Sequence, residues 1–288
     1  MGDLSSSRVD LSPGLSMAVY KTEGGAGTPV VCIPGLTRNA QDFEDFAPLA
    51  AATGRDVYAV SLRGRGRSDY DPDYRNYHPL TYRDDILAFM NASGLARAAF
   101  VGTSLGGIVT MLTAAAAKDR VAAAVINDVG PDLAPEGIAR IAGYVGARAA
   151  GADAPARDLD EAAARIRAIN EPAFPGRDDD FWRLFARRTF VQEADGRWRL
   201  DYDPGIGRAL LEVGPAPDLW GPFAAMRGIP TLIVRGAISD LLTPPIIEKM
   251  RAANPDFSYC EVEGVGHAPT LAEADAVAAI MPFLQAAA

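Results

Sequence analysis

The sequence contains few of the residues that form disulfides or bind metal ions. Among its 288 residues only two are cysteine and two are histidine. Cys32 and Cys260 lie in separate apolar stretches that resemble buried strands, which favours two buried thiols in a reducing compartment over a disulfide. His78 and His267 have no partner at the spacing of metal ligands, so we expect no metal site.

Clusters of basic residues and long hydrophobic runs are also missing. The formal net charge is −9, and the nearest approach to a basic cluster is Arg63, Arg65 and Arg67 in a glycine-rich turn. A nucleic-acid partner is therefore not expected, because phosphate binding requires many clustered Lys and Arg side chains. No apolar signal segment starts the sequence and no run approaches membrane-spanning length, so we expect a cytoplasmic protein without a membrane partner. A homo-oligomer is left open.

Short apolar runs alternate with helical patterns over much of the chain. Strands are predicted at residues 8–11, 16–21, 29–33, 56–62, 98–102, 121–127, 231–235 and 257–262, and helices at residues 40–53, 81–93, 105–117, 245–253 and 271–284. A glycine-rich loop is predicted at residues 24–27. Strands that are apolar on both faces and alternate with helices indicate an α/β fold, with helices on both faces of a mostly parallel sheet.

This alternation stops between residues 131 and 222. Helical patterns at residues 135–150, 158–170 and 178–189 and a hairpin around residues 194–196 replace the buried strands there. The segment is too long for a loop and has its own helical periodicity. We therefore predict a core formed by residues 1–130 and 223–288 and an inserted, mostly helical cap formed by residues 131–222.

A glycine-rich motif marks a candidate nucleophile. Residues 102–106 have the pattern G-x-S-x-G, with Ser104 between an apolar strand and a helical stretch. A serine on such a sharp strand-to-helix turn is exposed for attack, and only small neighbours fit there. The pattern predicts Ser104 as a catalytic nucleophile.

Serine needs a base near neutral pH, and His267 is the better of the two histidines. It follows a predicted strand in a glycine-rich loop before the last helix, whereas His78 lies in a Tyr/Asn/Pro-rich loop. There we expect a loop histidine that either bonds to the backbone or faces a substrate cleft as a candidate for substrate contact. A carboxylate must orient the histidine. Asp240 and Asp128 both follow predicted strands. We favour Asp240 because it lies between serine and histidine in the usual chain order, and assign Asp128 a structural role.

These motifs, together with residues 33–36, resemble the α/β-hydrolase superfamily in its capped, esterase-like branch. The resemblance covers nearly the whole chain outside the insertion. It implies an oxyanion hole formed by the backbone N–H groups of Leu36 and Leu105. It further implies a cofactor-independent serine hydrolase that cleaves a carboxylic ester or related acyl bond in a small-molecule substrate. Ser104 at the nucleophile position argues against the haloalkane-dehalogenase and epoxide-hydrolase branches of this superfamily, which use Asp there.

Several other side chains are weaker candidates for substrate contact. Arg38, close to Leu36, is placed to meet an anionic group, although a solvated arginine fits equally well. Phe181, Trp182 and Trp220 are candidates for a pocket lining, against the alternative of local core packing. Alternative activities are hydrolysis of C–C bonds in ring-cleavage products and lactone hydrolysis. A non-catalytic receptor for a small molecule is an alternative from another class.

Overall fold

The computed structural model describes residues 5–12, 14–151, 154–213 and 218–287. The ends of the predicted core (residues 1–4 and 288), Pro13, and residues 152–153 and 214–217 of the predicted insertion lie outside the described residues. The strands within the described ranges are β1 Ser5–Ser12, β2 Leu15–Ile33, β3 Arg55–Ser61, β4 Ala98–Thr103, β5 Val121–Asn127, β6 Phe190–Gln192, β7 Trp198–Leu200, β8 Thr231–Gly236 and β9 Phe257–Val262.

Seven of these strands form one central sheet. Their order is β1-β2-β4-β5-β8-β9, with β3 paired to β2. The pairs β2–β4, β4–β5, β5–β8 and β8–β9 are parallel. Strands β1 and β3 each pair with β2 in antiparallel fashion. Every residue of β5 and β8 is buried, as expected for central strands covered on both faces. The predicted α/β fold with a mostly parallel sheet is confirmed.

Helices cover both faces of this sheet. The described helices are α1 Phe46–Ala51, α2 Pro79–Ala92, α3 Leu105–Ala116, α4 Pro135–Ala149, α5 Leu159–Asn170, α6 Asp179–Thr189, α7 Gly205–Glu212, α8 Trp220–Ala225, α9 Pro244–Ala253 and α10 Ala274–Ala286. One apolar cluster joins the sheet to α2, α3, α8 and α9, and a second joins it to α1, α10, α5 and α6. None of the helices in the described part of the chain combines the length and apolar character needed to cross a bilayer.

The predicted loop at residues 24–27 is wrong. This segment lies within β2, which continues past it through several irregularities in its pairing with β3. Gly24 explains the error, because a Cβ atom there would lie 2.3 Å from the carbonyl oxygen of Arg55. The glycines therefore allow two backbones to approach closely at a bulge.

Two predicted helices begin later than expected. The predicted helix at residues 40–53 is a 3₁₀ turn over Ala40–Phe43 followed by α1. Pro48 lies in the first turn of α1, where proline's missing N–H group is tolerated. The last helix begins at Ala274 instead of Leu271, whose positive φ of 69° is incompatible with a helix.

The segment between β5 and β8, called the insertion below, contains the predicted helices as α4, α5 and α6 and the predicted hairpin as β6 and β7. Helices α5 and α6 pack together, and α4 packs against α7. The short helices α7 and α8 were not predicted. Helix α8 packs against α3, and its Phe223 is fully buried in the same apolar cluster as the sheet.

Candidate active site

Ser104 lies on the turn between β4 and α3, at the carboxyl edge of the parallel sheet. Its backbone has φ 52° and ψ −115°, an unfavourable conformation for a residue with a Cβ atom. Glycines on either side make this turn possible. A Cβ atom at Gly102 would lie 2.3 Å from the carbonyl oxygen of Gly106, and one at Gly106 would lie 2.0 Å from that of Ile33. The strained turn predicted from the motif is therefore present.

His267 lies in the loop after β9 and contacts Ser104. Its Nε2 atom is 2.9 Å from the Ser104 Oγ atom, and its side chain is 9% exposed. The loop is fixed on both sides of the histidine: Gly266 N donates to Ala173 O (2.7 Å), and Asn127 Nδ2 donates to Pro269 O (2.8 Å). The imidazole is thus held where it can accept the proton of the serine hydroxyl.

Asp128 is the carboxylate that contacts His267. Its Oδ2 atom lies 2.8 Å from His267 Nδ1, and the side chain is fully buried. Gly236 N donates to Oδ1 (2.9 Å) and Ser239 Oγ donates to Oδ2 (2.6 Å). Asp128 follows β5, the neighbour of β4, and its positive φ of 56° is a conformation that aspartate tolerates better than most residues.

The structure contradicts the prediction that Asp240 orients His267. Asp240 is 2.6 Å and 2.9 Å from the Nε and Nη2 atoms of Arg140, a residue of α4 in the insertion. This hydrogen-bonded ion pair holds the pKa of the Asp240 carboxyl below its usual value. Chain order favoured Asp240. In the structure, however, the carboxylate beside His267 Nδ1 belongs to Asp128, which follows β5, the strand next to the one that precedes Ser104.

Leu105 directly follows Ser104 in the chain, and Leu36 lines the same cavity as Ser104. Leu105 is the first residue of α3, and Leu36 belongs to the loop after β2, where a Cβ atom on Gly35 would lie 3.8 Å from that of Ser104. Neither N–H group donates a hydrogen bond to another described residue. An oxyanion hole formed by these two N–H groups stays a prediction.

Arg65 supports the Leu36 loop and was not identified from the sequence. Its side chain is fully buried, and Nε donates to the Leu36 carbonyl oxygen (2.8 Å). Nη1 donates to Arg63 O (2.7 Å) and to Tyr82 Oη (2.8 Å), and the guanidinium lies 4.6 Å from the centre of the Tyr82 ring. The glycine-rich turn that resembled a weak basic cluster thus places a buried cation behind the candidate oxyanion hole.

A cavity of about 340 Å³ opens above Ser104 and His267. Its walls come from the loop after β2, the histidine loop and the helices α4, α5 and α6 of the insertion. Apolar side chains form much of the insertion's share: Ile141, Ile166, Ile169, Phe174, Phe181 and Phe185. The polar side chains include Arg38, Arg140, Tyr144 and Asn170. Such a concave, largely apolar site with a few polar groups is typical of a small-molecule site.

The weaker substrate-contact predictions have different outcomes. Arg38 lines the cavity, where it pairs with Asp42 and lies 4.1 Å from the centre of the Phe185 ring. Its contact with a substrate stays a prediction. Phe181 also lines the cavity, whereas Trp182 and Trp220 are absent from the described lining. Trp182 is 1% exposed and packs against Phe174, Phe181 and Phe185, so it is core of the insertion.

His78 also lies outside the described cavity lining, which contradicts its prediction as a substrate contact. Its Nδ1 atom accepts a hydrogen bond from the Leu80 backbone N (3.3 Å) at the start of α2. Burial lowers the pKa of the imidazole, which favours the neutral form that can accept this bond. His78 therefore has a structural role at a helix terminus.

Comparisons with known proteins agree with this fold. The model of the alpha/beta hydrolase family matches residues 30–280. The chain is 33% identical to 3-hydroxybutyrate-oligomer hydrolase of Cupriavidus necator over 291 residues, covering 96% of each chain. It is 27% identical over 264 residues to 2-(acetamidomethylene)succinate hydrolase of Mesorhizobium japonicum, covering 91% of this chain and 88% of the other. A crystal structure of an alpha/beta hydrolase from Novosphingobium aromaticivorans superposes with a TM-score of 0.90, at 39% identity and 99% coverage of both chains.

The mostly parallel sheet with helices on both faces and the family match over residues 30–280 together define an enzyme of the α/β class. The chain is a member of the alpha/beta hydrolase family, and it is a hydrolase.

Proposed function

We propose that this hydrolase is a cofactor-independent serine esterase with Ser104 as nucleophile, His267 as base and Asp128 as the orienting carboxylate. The proposal rests above all on the hydrogen-bonded series from Ser104 through His267 to Asp128 at the base of the cavity. Such a series raises the nucleophilicity of the serine, because the histidine accepts its proton and the buried carboxylate stabilises the resulting imidazolium.

The reaction proceeds through an acyl-enzyme. Ser104 Oγ attacks the ester carbonyl carbon while His267 Nε2 takes the hydroxyl proton. The tetrahedral intermediate collapses, and the leaving alkoxide departs as an alcohol with the proton from His267. Water then attacks the acyl-enzyme with His267 again as base, which releases the carboxylic acid and restores Ser104.

The N–H groups of Leu36 and Leu105 stabilise the negative oxygen of both tetrahedral intermediates. Two features support this part of the proposal. Both N–H groups lack an acceptor among the described residues, and Leu105 stands at the N-terminus of α3, where the helix dipole favours negative charge. Donors that are fixed before charge develops need no reorganisation during the reaction.

We further propose that the insertion is a cap that selects short acyl esters, with linear oligomers of 3-hydroxybutyrate as the first candidates. The relative from Cupriavidus necator, which matches 96% of this chain, is named for hydrolysis of such oligomers. The cavity volume of about 340 Å³ lies near the small end of the range for ligand sites. Apolar walls from α5 and α6 suit the methyl and methylene groups of short acyl units.

A cytoplasmic location is part of the same proposal. Both cysteines are free, Cys32 is fully buried, and burial raises the pKa of its thiol far above the usual value. An unreactive thiol of this kind suits a reducing compartment.

The first test is covalent labelling of the purified protein with a fluorophosphonate, followed by turnover of p-nitrophenyl acetate and of the linear dimer of 3-hydroxybutyrate. We expect labelling at Ser104 and no labelling of Ser104→Ala, whose turnover should fall by on the order of 10⁵-fold. Folding of the variant is checked by circular dichroism and thermal unfolding. Labelling without turnover of esters would favour lactone or C–C bond hydrolysis. Absence of both labelling and turnover would favour a non-catalytic receptor.

A further inference from the structure

Arg140 is a charged residue of the cavity lining that has no role in the proposed mechanism. It lies on α4 of the insertion and lines the same cavity as Ser104 and His267. The Asp240 carboxylate accepts hydrogen bonds from Nε and Nη2 along one edge of the Arg140 guanidinium. The Arg140 side chain is 24% exposed and the Asp240 side chain 35%. An arginine fixed in this way is held in one orientation at the wall of a ligand site.

The local fold explains how Arg140 comes to be fixed. Two backbone hydrogen bonds join the start of α4 to the loop after β8: Ala134 N to Leu241 O (3.0 Å) and Gly137 N to Asp240 O (3.2 Å). Gly137 permits this contact, because a Cβ atom there would lie 2.8 Å from the Asp240 carbonyl oxygen. One turn further along α4, Arg140 is therefore held above the Asp240 side chain.

One edge of the Arg140 guanidinium has no protein partner among the described residues. An arginine carries five N–H donors, and Asp240 uses those of Nε and one of Nη2. Of the three remaining donors, one on Nη1 and one on Nη2 form the end edge of the guanidinium, and none of the three bonds to a described residue. A carboxylate could dock there with two parallel hydrogen bonds, the geometry preferred by arginine–carboxylate pairs.

The other arginines of the described lining differ from Arg140. Arg38 contacts Asp42 through Nε and Nη2 and Thr189 through Nη1, so both of its edges are occupied. Arg188 contacts Glu44 through Nε and Asp45 through Nη1. Arg177 is exposed, and no carboxylate fixes its orientation among the described residues. Within the described lining, Arg140 alone combines a fixed orientation with an unused edge.

We infer that Arg140 binds a free carboxylate of the substrate, and that Asp240 is its positioning residue. The substrate class is then short linear esters that carry a terminal carboxylate. This inference rests on the proposed esterase function and narrows it. Because Asp240 neutralises part of the charge of Arg140, recognition depends on hydrogen-bond geometry more than on net charge. The carboxylate should therefore lower KM and leave kcat nearly unchanged.

The test compares the linear 3-hydroxybutyrate dimer, which has a free carboxylate, with its methyl ester, which does not. We expect the protein to prefer the free acid in kcat/KM. Arg140→Gln should lower kcat/KM for the free acid by about 10- to 100-fold, the loss expected from hydrogen bonds to a charged group. It should leave kcat/KM for the methyl ester within about threefold. Arg140→Lys should recover part of the loss, since it keeps the charge without the planar edge.

Two more variants distinguish positioning from general damage. Asp240→Asn releases Arg140, so it should raise KM for the free acid and leave the methyl ester unaffected. Arg183→Gln is the matched control, because Arg183 is an arginine of α6 that is paired with Asp160 and absent from the described cavity lining. It should behave as the unmodified protein with both esters.

The outcomes separate this inference from the proposed function. Equal losses for both esters in Arg140→Gln, or no preference for the free acid in the unmodified protein, would overturn carboxylate recognition. Turnover of p-nitrophenyl acetate with neither dimer cleaved would also overturn it. If p-nitrophenyl acetate is not cleaved and a fluorophosphonate does not label Ser104, the esterase proposal itself fails.

Discussion

At the scale of single residues, Asp128 and Asp240 differ in burial and in partners. Asp128 is fully buried and receives hydrogen bonds from Gly236 N and Ser239 Oγ besides its contact with His267. Asp240 is 35% exposed and engaged by Arg140. A carboxylate that orients a catalytic histidine must be held rigidly at Nδ1, and Asp128 meets this requirement.

Asp128→Asn should therefore lower kcat by about 10³- to 10⁴-fold, because the amide no longer stabilises the imidazolium or fixes its tautomer. Asp240→Asn should lower kcat with p-nitrophenyl acetate by less than about tenfold, because its side chain does not contact His267. Steady-state kinetics of both variants under one condition provide the comparison. If Asp240→Asn lowers kcat more than Asp128→Asn does, Asp240 and not Asp128 orients His267.

Arg65 is a second residue whose role can be tested individually. Its Nε atom holds the Leu36 carbonyl, and the buried positive charge lies behind the loop that is proposed to stabilise the oxyanion. Arg65→Met should lower kcat by about 10- to 100-fold while changing KM little, since the oxyanion exists only after attack on the carbonyl. Arg65→Lys should recover part of kcat. A loss confined to KM or to thermal stability would contradict this role.

At the scale of structural elements, glycines determine how closely helices and strands approach. Gly106 lies where α3 meets β2, and a Cβ atom at this position would lie 2.0 Å from Ile33 O, which leaves no room for alanine. Gly143 lies in the middle of α4, and a Cβ atom there would have no neighbour within 4 Å. The same substitution should therefore have opposite effects at the two positions.

We expect Gly106→Ala to reduce the free energy of unfolding by about 3 kcal/mol or more, because the backbone must shift to admit the methyl group. Gly143→Ala should raise the free energy of unfolding by about 0.5–1 kcal/mol, since alanine loses less backbone entropy in a helix. Urea unfolding curves of both variants test the pair. A stable, fully active Gly106→Ala protein would show that the serine turn is less crowded than described.

At the scale of the whole molecule, the folded state favours the neutral form of His78 because burial lowers its pKa. The unfolded chain therefore binds more protons than the folded chain below the unperturbed pKa of about 6.5. This contribution to stability is present above that pH and is lost as the pH falls through it. In His78→Gln the loss of stability between about pH 7 and 5 should be smaller than in the unmodified protein.

Denaturant unfolding at a series of pH values measures this difference. Catalysis provides the internal control, since His78 lies outside the described cavity lining. His78→Gln should keep the acidic limb of kcat/KM, whereas His267→Gln should lose nearly all activity. If His78→Gln shifts that limb and leaves the pH dependence of stability unchanged, His78 acts in the reaction and not at the helix terminus.

Local sequence patterns were sufficient to predict the sheet, the serine turn and the loop after β9 that carries His267. Apolar runs and small residues are local signals, and a sharp turn between strand and helix depends on its own few residues. The bulged course of β2 and the start of α10 were predicted incorrectly, because backbone approach at Gly24 and the positive φ of Leu271 depend on neighbours in space. Such neighbours leave no periodic signal in the chain.

The choice between Asp128 and Asp240 depended on the packing of the folded chain. Both residues follow strands that end at the same edge of the sheet, so local sequence gives them equal standing. The pairing of β4 with β5 brings Asp128 close to Ser104. The contact of α4 with the loop after β8 places the Asp240 carboxylate against the Arg140 guanidinium. Distances between side chains on different elements depend on strand order and helix packing, which act through space and are not encoded at either residue.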